Sequence, residues 1–521
     1  GSGDVYKRQG QYGRRGWDDF IIRGQISSSQ TYIDGLRIQA SDNVLRAEDI
    51  SGLESIEVVK GPTSVGFGLA LPGGLVNLTT KRPQAETAYK GTLSYGSYGL
   101  KEGTFDLNYA PNNTDKGAFR VVGRVSDQDD PTDHVYFKNY YIAPSYNFDL
   151  GDKDDLSVIA SYQRREYVRQ QGIPYSGGNY KKYSHSLFFG DPDYGYDVDV
   201  YRLGSNYAHY FDNAWTFKQN FAVTKTETLG DSILASGRSV LPTIKRAINN
   251  QDKQDINYTL DNNLQRNFNF EHINYDVMVG LDMMRERSDY YRRTDTINDF
   301  DVNNPSYGNI SIKKVGVPTE EITYSQYAGL YLRNTIKIDD DWIIGLSGRH
   351  DWTQVEIDNI LTNTKTKNSD NAFTGSASAM YRINDMFAPY ISYATSFMPV
   401  TDSGENGSLL DPEEGKQAEV GVKFQGLDQR LQGYVAYYDL TRQNVTEPDS
   451  TNTHHVQIGE QKTKGFETEL SAALTDQWNL TATYSYIPTA KITESETSSD
   501  IGKRINHVPK NAASLSTQYF F

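Results

Sequence analysis

Few residues in this chain stand in arrangements that covalent or metal chemistry needs. His454-His455 is its one adjacent histidine pair, and imidazole is a common metal ligand. A metal site would want more carboxylate or imidazole converging on the same place, so the pair reads as solvent-exposed. Cysteine is absent, which removes disulfides and thiolate metal sites. Gly66-Phe67-Gly68 is too short for a phosphate loop and has no helical pattern after it. Serine and histidine never fall into a spacing that would join nucleophile to base. The chain therefore predicts no enzyme, no metal site and no resident cofactor. Its chemical peculiarity is tyrosine, at 38 of 521 residues. Tyr175, Tyr180 and Tyr183, Tyr194 and Tyr196, and Tyr290 and Tyr291 cluster in segments that read as loops. A tyrosine couples a rigid apolar body to one hydroxyl, which suits a ligand surface of mixed polarity, a membrane-interface girdle or plain loop packing.

The elements that must hold these residues are strands. From about Thr87 onward, apolar and polar residues alternate with period two. Trp478, Leu480, Ala482, Tyr484 and Tyr486 alternate with Asn479, Thr481, Thr483 and Ser485. Ile273, Tyr275, Val277, Val279 and Leu281 oppose Asn274, Asp276 and Asp282, and Phe466, Leu470 and Ala472 oppose Glu467, Glu469 and Ser471. Eighteen such strands can be counted. After even-numbered strands the links are short and rich in Asp, Asn and Gly, as at Phe211-Asp212-Asn213, Asn384-Asp385 and Thr475-Asp476-Gln477. After odd-numbered strands they are mostly long. Arg164 to Asp197, Thr228 to Gln254, Glu286 to Glu320, Phe397 to Glu413 and Ile487 to Asn511 carry no convincing strand. Structureless links of that size are rare in compact soluble domains. Alternating short and long links are the habit of outer-membrane barrels, whose strands turn one face to lipid and the other to a wet lumen.

Composition agrees. A net charge of −15 argues against nucleic acid as a partner. No run of 18 apolar residues exists, so no transmembrane helix is expected. The opening Gly1-Ser2-Gly3-Asp4-Val5-Tyr6-Lys7-Arg8-Gln9 has no apolar core and fits nothing downstream. Residues 1–9 are read as a non-native or disordered tail, 10–86 as a plug domain and 87–521 as a barrel. A barrel this wide needs something in its bore. The glycine-rich run from Gly61 to Pro83 is the natural stopper. The expected fold is an all-β transmembrane antiparallel barrel with an N-terminal plug in the lumen.

Several motifs resemble those of the TonB-dependent outer-membrane receptors. In the plug they are Phe20-Ile21-Ile22-Arg23-Gly24, Tyr32-Ile33-Asp34-Gly35-Leu36-Arg37 and Glu54-Ser55-Ile56-Glu57-Val58-Val59-Lys60-Gly61-Pro62. In the barrel they are Glu413-Glu414-Gly415-Lys416-Gln417-Ala418-Glu419, Gly465-Phe466-Glu467-Thr468-Glu469-Leu470 and Asn506-His507-Val508-Pro509-Lys510-Asn511. They look most like the ferric hydroxamate branch, the ferrichrome and ferrioxamine receptors. Barrels of that kind have about 22 strands. The resemblance thus implies a fragment lacking both ends, with about four strands beyond Phe521 and two open sheet edges.

The resemblance implies import of a ferric siderophore, held as cargo rather than cofactor, by a monomer in outer-membrane lipid. A TonB-type inner-membrane protein would supply the pull. Arg23 and Lys60 on the plug match residues that pair with two barrel glutamates, here Glu419 and Glu467, and hold the plug in place. Lys60 stands where the family usually has Arg and gives up bidentate geometry. Arg15 matches the apex arginine that holds hydroxamate oxygens. Asp42 with Asn43, and Gln171 with Ile173, stand where ferrichrome receptors have aromatic pairs, and Tyr175 could substitute. Cobalamin, haem or an oligosaccharide are the alternative cargoes, although the haem branch's motifs are missing. A passive porin or adhesion barrel is the alternative of another class.

Overall fold

The structure, a computed structural model, describes residues 20–27, 30–40, 48–62, 68–169, 172–173, 183–237, 239–401, 404, 408–448, 455–495 and 498–521. Among them, eighteen long antiparallel strands run in chain order from Ala88–Tyr95 to Asn511–Tyr519 and curl into one barrel. The period-two pattern explains the curl. On strand His455–Ala473, Phe466 points outward and is 48% exposed, while its neighbour Glu467 points inward and is 6% exposed. Trp352, Phe373 and Ile391 also stand on the outer face, where lipid is their solvent. From Lys101–Tyr109 round to Trp478–Glu494, each long strand satisfies its backbone polar groups on a neighbour at either side, the condition for crossing hydrocarbon.

Ring order sets the last strand, Asn511–Tyr519, beside the first, Ala88–Tyr95. The two edges expected to lie open are therefore neighbours at a seam. Leu93 and Leu515 on these strands remain 91% and 71% exposed.

The strands are longer than their sequence pattern suggests. Thr216–Ala235 and Arg246–Asn269 stay in register up to Ala235 opposite Arg246. Most of the stretch from Thr228 to Gln254, expected to lack strands, is thus ladder. Strand Ile273–Ile297 likewise overruns Glu286. Asn249, Asn250, Gln251 and Asp252 put polar residues on both faces there, so no apolar alternation marks the strand. Backbone pairing does not need one.

The described residues between Phe20 and Thr80 form the plug. Its sheet orders Leu36–Arg37, Thr31–Ile33, Gly74–Thr80 and Leu53–Lys60, with the middle pair parallel. A separate hairpin joins Ile21–Ile22 to Gln25–Ile26. Phe20, Ile22, Ile33, Ile38, Val76 and Leu78 make the plug's own core. Leu69 and Leu71 pack instead on Met284, Tyr327, Phe397 and Met398 of the wall, which joins plug to barrel.

Candidate functional site

The plug meets the wall through charged groups at separate places around the ring. The first is built on the Ile21–Ile26 hairpin. Its two-residue turn needs positive φ at both central positions, and Arg23 and Gly24 adopt 50° and 73°. Gly24 presses on the wall so closely that a Cβ there would lie 3.0 Å from the Thr463 methyl. The turn therefore drives the Arg23 side chain straight at strands Glu413–Gly426, Leu431–Pro448 and His455–Ala473.

Every hydrogen bond of the Arg23 guanidinium goes to the barrel. Nη1 donates to Gln417 Oε1 at 2.8 Å, and Nη2 donates to Glu467 Oε1 at 2.5 Å and to Glu419 Oε2. The group also lies 4.5 Å from the centre of the Tyr438 ring. Glu419 stands opposite Tyr438, and Glu467 opposite Ala436, so one strand separates the two carboxylates and Arg23 bridges it. Burial opposes the charge on Arg23, but Glu467 and Glu419 outweigh it and raise its already high pKa. The guanidinium is charged at any working pH.

Lys60 joins more loosely. Its ammonium donates to Tyr434 Oη at 2.8 Å and lies 4.0 Å from Glu467. Unlike Arg23 it has no bidentate fork. Lys60→Met is expected to lower plug stability by about 1 kcal/mol, because its ion pair is long at 4.0 Å, as read from the plug's thermal unfolding midpoint.

Two further contacts escape sequence reasoning. Asp49 of the plug accepts from Arg124 Nη1 at 2.9 Å and from Asn139 Nδ2 at 2.5 Å. Burial alone would raise the Asp49 pKa, but Arg124 and Ser51 outweigh it and hold the carboxyl below its ordinary range. Farther round the wall, Arg349 is 1% exposed and grips Asp282 and Asp351, with the plug's Gly68 against the cluster. The signal for both is an arginine at an inward position, which in a packed lumen demands a counter-charge.

Arg15, Asp42, Asn43, Gln171, Tyr175 and His454 lie outside the described residues. Ile173 and Tyr183 pack with Leu187, Leu241 and Tyr307 around Phe189, Ile244 and Phe300. Tyr196 stacks on Tyr167 at 5.6 Å, and Tyr194 packs on Ile233, Ile248 and Ile297. These tyrosines do loop and wall packing. Among the described residues no group of three or more His, Asp or Glu is disposed to hold a metal.

The profile described as "TonB dependent receptor-like, beta-barrel" matches residues 139–521, and that of the "TonB-dependent Receptor Plug Domain" matches 4–75. The ferrioxamine B receptor of Salmonella typhimurium is 29% identical over 96% of this chain and 72% of its own length. The ferrichrome outer membrane transporter/phage receptor of Escherichia coli is 27% identical over 97% and 72%. The catecholate siderophore receptor Fiu of Escherichia coli is 24% identical over 96% and 73%. Among solved structures, the siderophore receptor PiuA of Acinetobacter baumannii superposes with a TM-score of 0.87 at 22% identity, covering 98% of this chain and 80% of the other. A lipid-facing barrel, a plug bound inside it and both profile matches make this chain a member of the TonB-dependent receptors of the outer membrane, a transport receptor and not an enzyme.

Proposed function

We propose that this receptor imports ferric siderophores, hydroxamate type favoured, and that Arg23, Lys60, Glu419 and Glu467 lock the plug in its seat until a TonB-type partner pulls it. Arg23 carries the lock. It is 3% exposed, and its hydrogen bonds all cross from plug to wall, so moving the plug must break them together. The outer membrane offers no nucleotide as an energy source, so the work arrives mechanically through the partner. The hydroxamate preference is supported by likeness to ferrioxamine and ferrichrome receptors along almost the whole chain. A catecholate cargo is the second reading, favoured by likeness to a catecholate receptor at 24% identity. The cargo would sit between the plug apex and the external loops, with Arg15, Asp42, Asn43, Gln171 and Tyr175 as its candidate contacts.

The test is a binding panel read by quenching of intrinsic fluorescence. Ferrioxamine B and ferrichrome are expected to bind at least tenfold more tightly than a ferric catecholate, cobalamin or haem. Preference for the catecholate would replace the hydroxamate reading, and binding of cobalamin or haem alone would end the siderophore one.

A further inference from the structure

The Asp49 contact differs in kind from the Arg23 contact. Asp49 uses its two oxygens for different jobs. Oδ1 accepts from Ser51 N at 2.9 Å and Ser51 Oγ at 2.5 Å and so caps the short 3-10 turn Ile50–Gly52 within the plug. Oδ2 reaches the wall, to Arg124 and Asn139. Arg124 is also shared. Its Nε and Nη2 lie 2.8 Å from Glu102, which stands beside it on the next strand. Glu48 next door accepts from the Tyr141 hydroxyl. Fit is close here as well, because a Cβ on Gly52 would fall 2.0 Å from Tyr141 Oη.

The consequence appears when the two surfaces part. Asp49 keeps Ser51 as a donor, and Arg124 keeps Glu102 as a counter-charge, so neither charge is stranded. At the Arg23 contact the opposite holds. Arg23 leaves with no plug partner among its described contacts, and Glu419 and Glu467, though they keep the hydroxyls of Tyr390 and Tyr434, lose the cation they share. Stranding a buried charge is the large cost in breaking an ion pair. A contact that keeps partners on both sides avoids it.

We propose that Asp49, Arg124 and Glu102 form a release latch, a plug–wall contact that opens and recloses reversibly while Arg23 keeps the plug seated. Glu102 is the element that makes it reversible. It competes with Asp49 for Arg124 in the closed state and takes Arg124 over in the open one. Asp49, Arg124 and Glu102 are positioning residues, and none of them need touch cargo. The proposal rests on the reading that the plug moves during import, but its test needs neither cargo nor energy source.

Amide hydrogen exchange on the whole chain, in detergent micelles without cargo, tests it at residues 48–53, with residues 20–27 as the internal reference. In the parent, 48–53 should exchange faster than 20–27. Asp49→Asn should speed exchange at 48–53. Glu102→Gln should slow it roughly two- to fivefold, because Arg124 then has no charged alternative to Asp49. Glu102→Asp should restore parental exchange. A merely structural role for Glu102, as a prop that orients Arg124, gives the opposite sign. Faster or unchanged exchange at 48–53 in Glu102→Gln would overturn the latch. If 20–27 exchanged as fast as 48–53 in the parent, the ordering of the two contacts would be wrong.

Discussion

Replacing Arg23 by methionine is expected to unseat the plug and turn a closed barrel into a conducting one. Arg23 is buried, and its guanidinium bonds Gln417, Glu419 and Glu467 on the wall. Methionine fills similar volume but leaves both glutamates without the cation they share. Among the described contacts, Lys60, 4.0 Å from Glu467, is the cation that remains nearby. Removing one side of a buried ion pair costs about 3–5 kcal/mol, since it leaves the partner charge uncompensated. The hydrated lumen will reduce that figure, yet two carboxylates are affected at once. The barrel itself should survive, because its ladders do not involve Arg23. In planar bilayers the parent should be silent and Arg23→Met should show steady ion conductance. Adding Glu419→Gln and Glu467→Gln to Arg23→Met should restore most of the silence, because a neutral site strands nothing. A silent Arg23→Met with a parental unfolding midpoint would remove the lock from the mechanism.

Barrel and plug were legible because they are written in short-range patterns. Phe466 beside Glu467 announces a wall with lipid outside and water within. Asn384-Asp385 and Thr475-Asp476-Gln477 mark turns through residues that tolerate tight backbone geometry. Where alternation stops, as at Asn249 to Asp252, the strand continues on backbone pairing alone and the sequence goes quiet. The meeting of Arg23 with Glu419 and Glu467 was reached through family likeness. Residues nearly 400 or more apart in the chain cannot be joined by pattern, and their meeting depends on strand register. Asp49 with Arg124 and Arg349 with Asp282 were missed for the same reason. Each partner reads alone as an ordinary lumen charge, and only the closed ring brings them together. Register is set by the summed pairing of whole strands, so no single residue discloses it.

Arg349→Leu is the second large effect to expect, and it falls on the wall. Arg349 donates to both oxygens of Asp282, at 2.7 and 2.6 Å, and to Asp351 at 2.6 Å, while Tyr331 lies under its guanidinium. Arg349 and Asp351 are 1% and 0% exposed, so water does not soften the contact. Leucine removes the sole cation that the described contacts give these two carboxylates and leaves two acids to repel each other in a closed space. A loss of about 3–5 kcal/mol is expected from the stranded charge, with a further contribution from repulsion. The site lies against the plug's Gly68, so plug and wall should loosen together. Urea titration followed by tryptophan fluorescence should show an earlier midpoint in Arg349→Leu. Adding Asp282→Asn and Asp351→Asn to it should recover the midpoint, since neutral amides can hydrogen-bond each other where carboxylates cannot. If Arg349→Leu unfolded with the parent, the buried charges would have to be neutralised by something other than Arg349. If the triple variant were weaker still, shape rather than charge would be what Arg349 supplies.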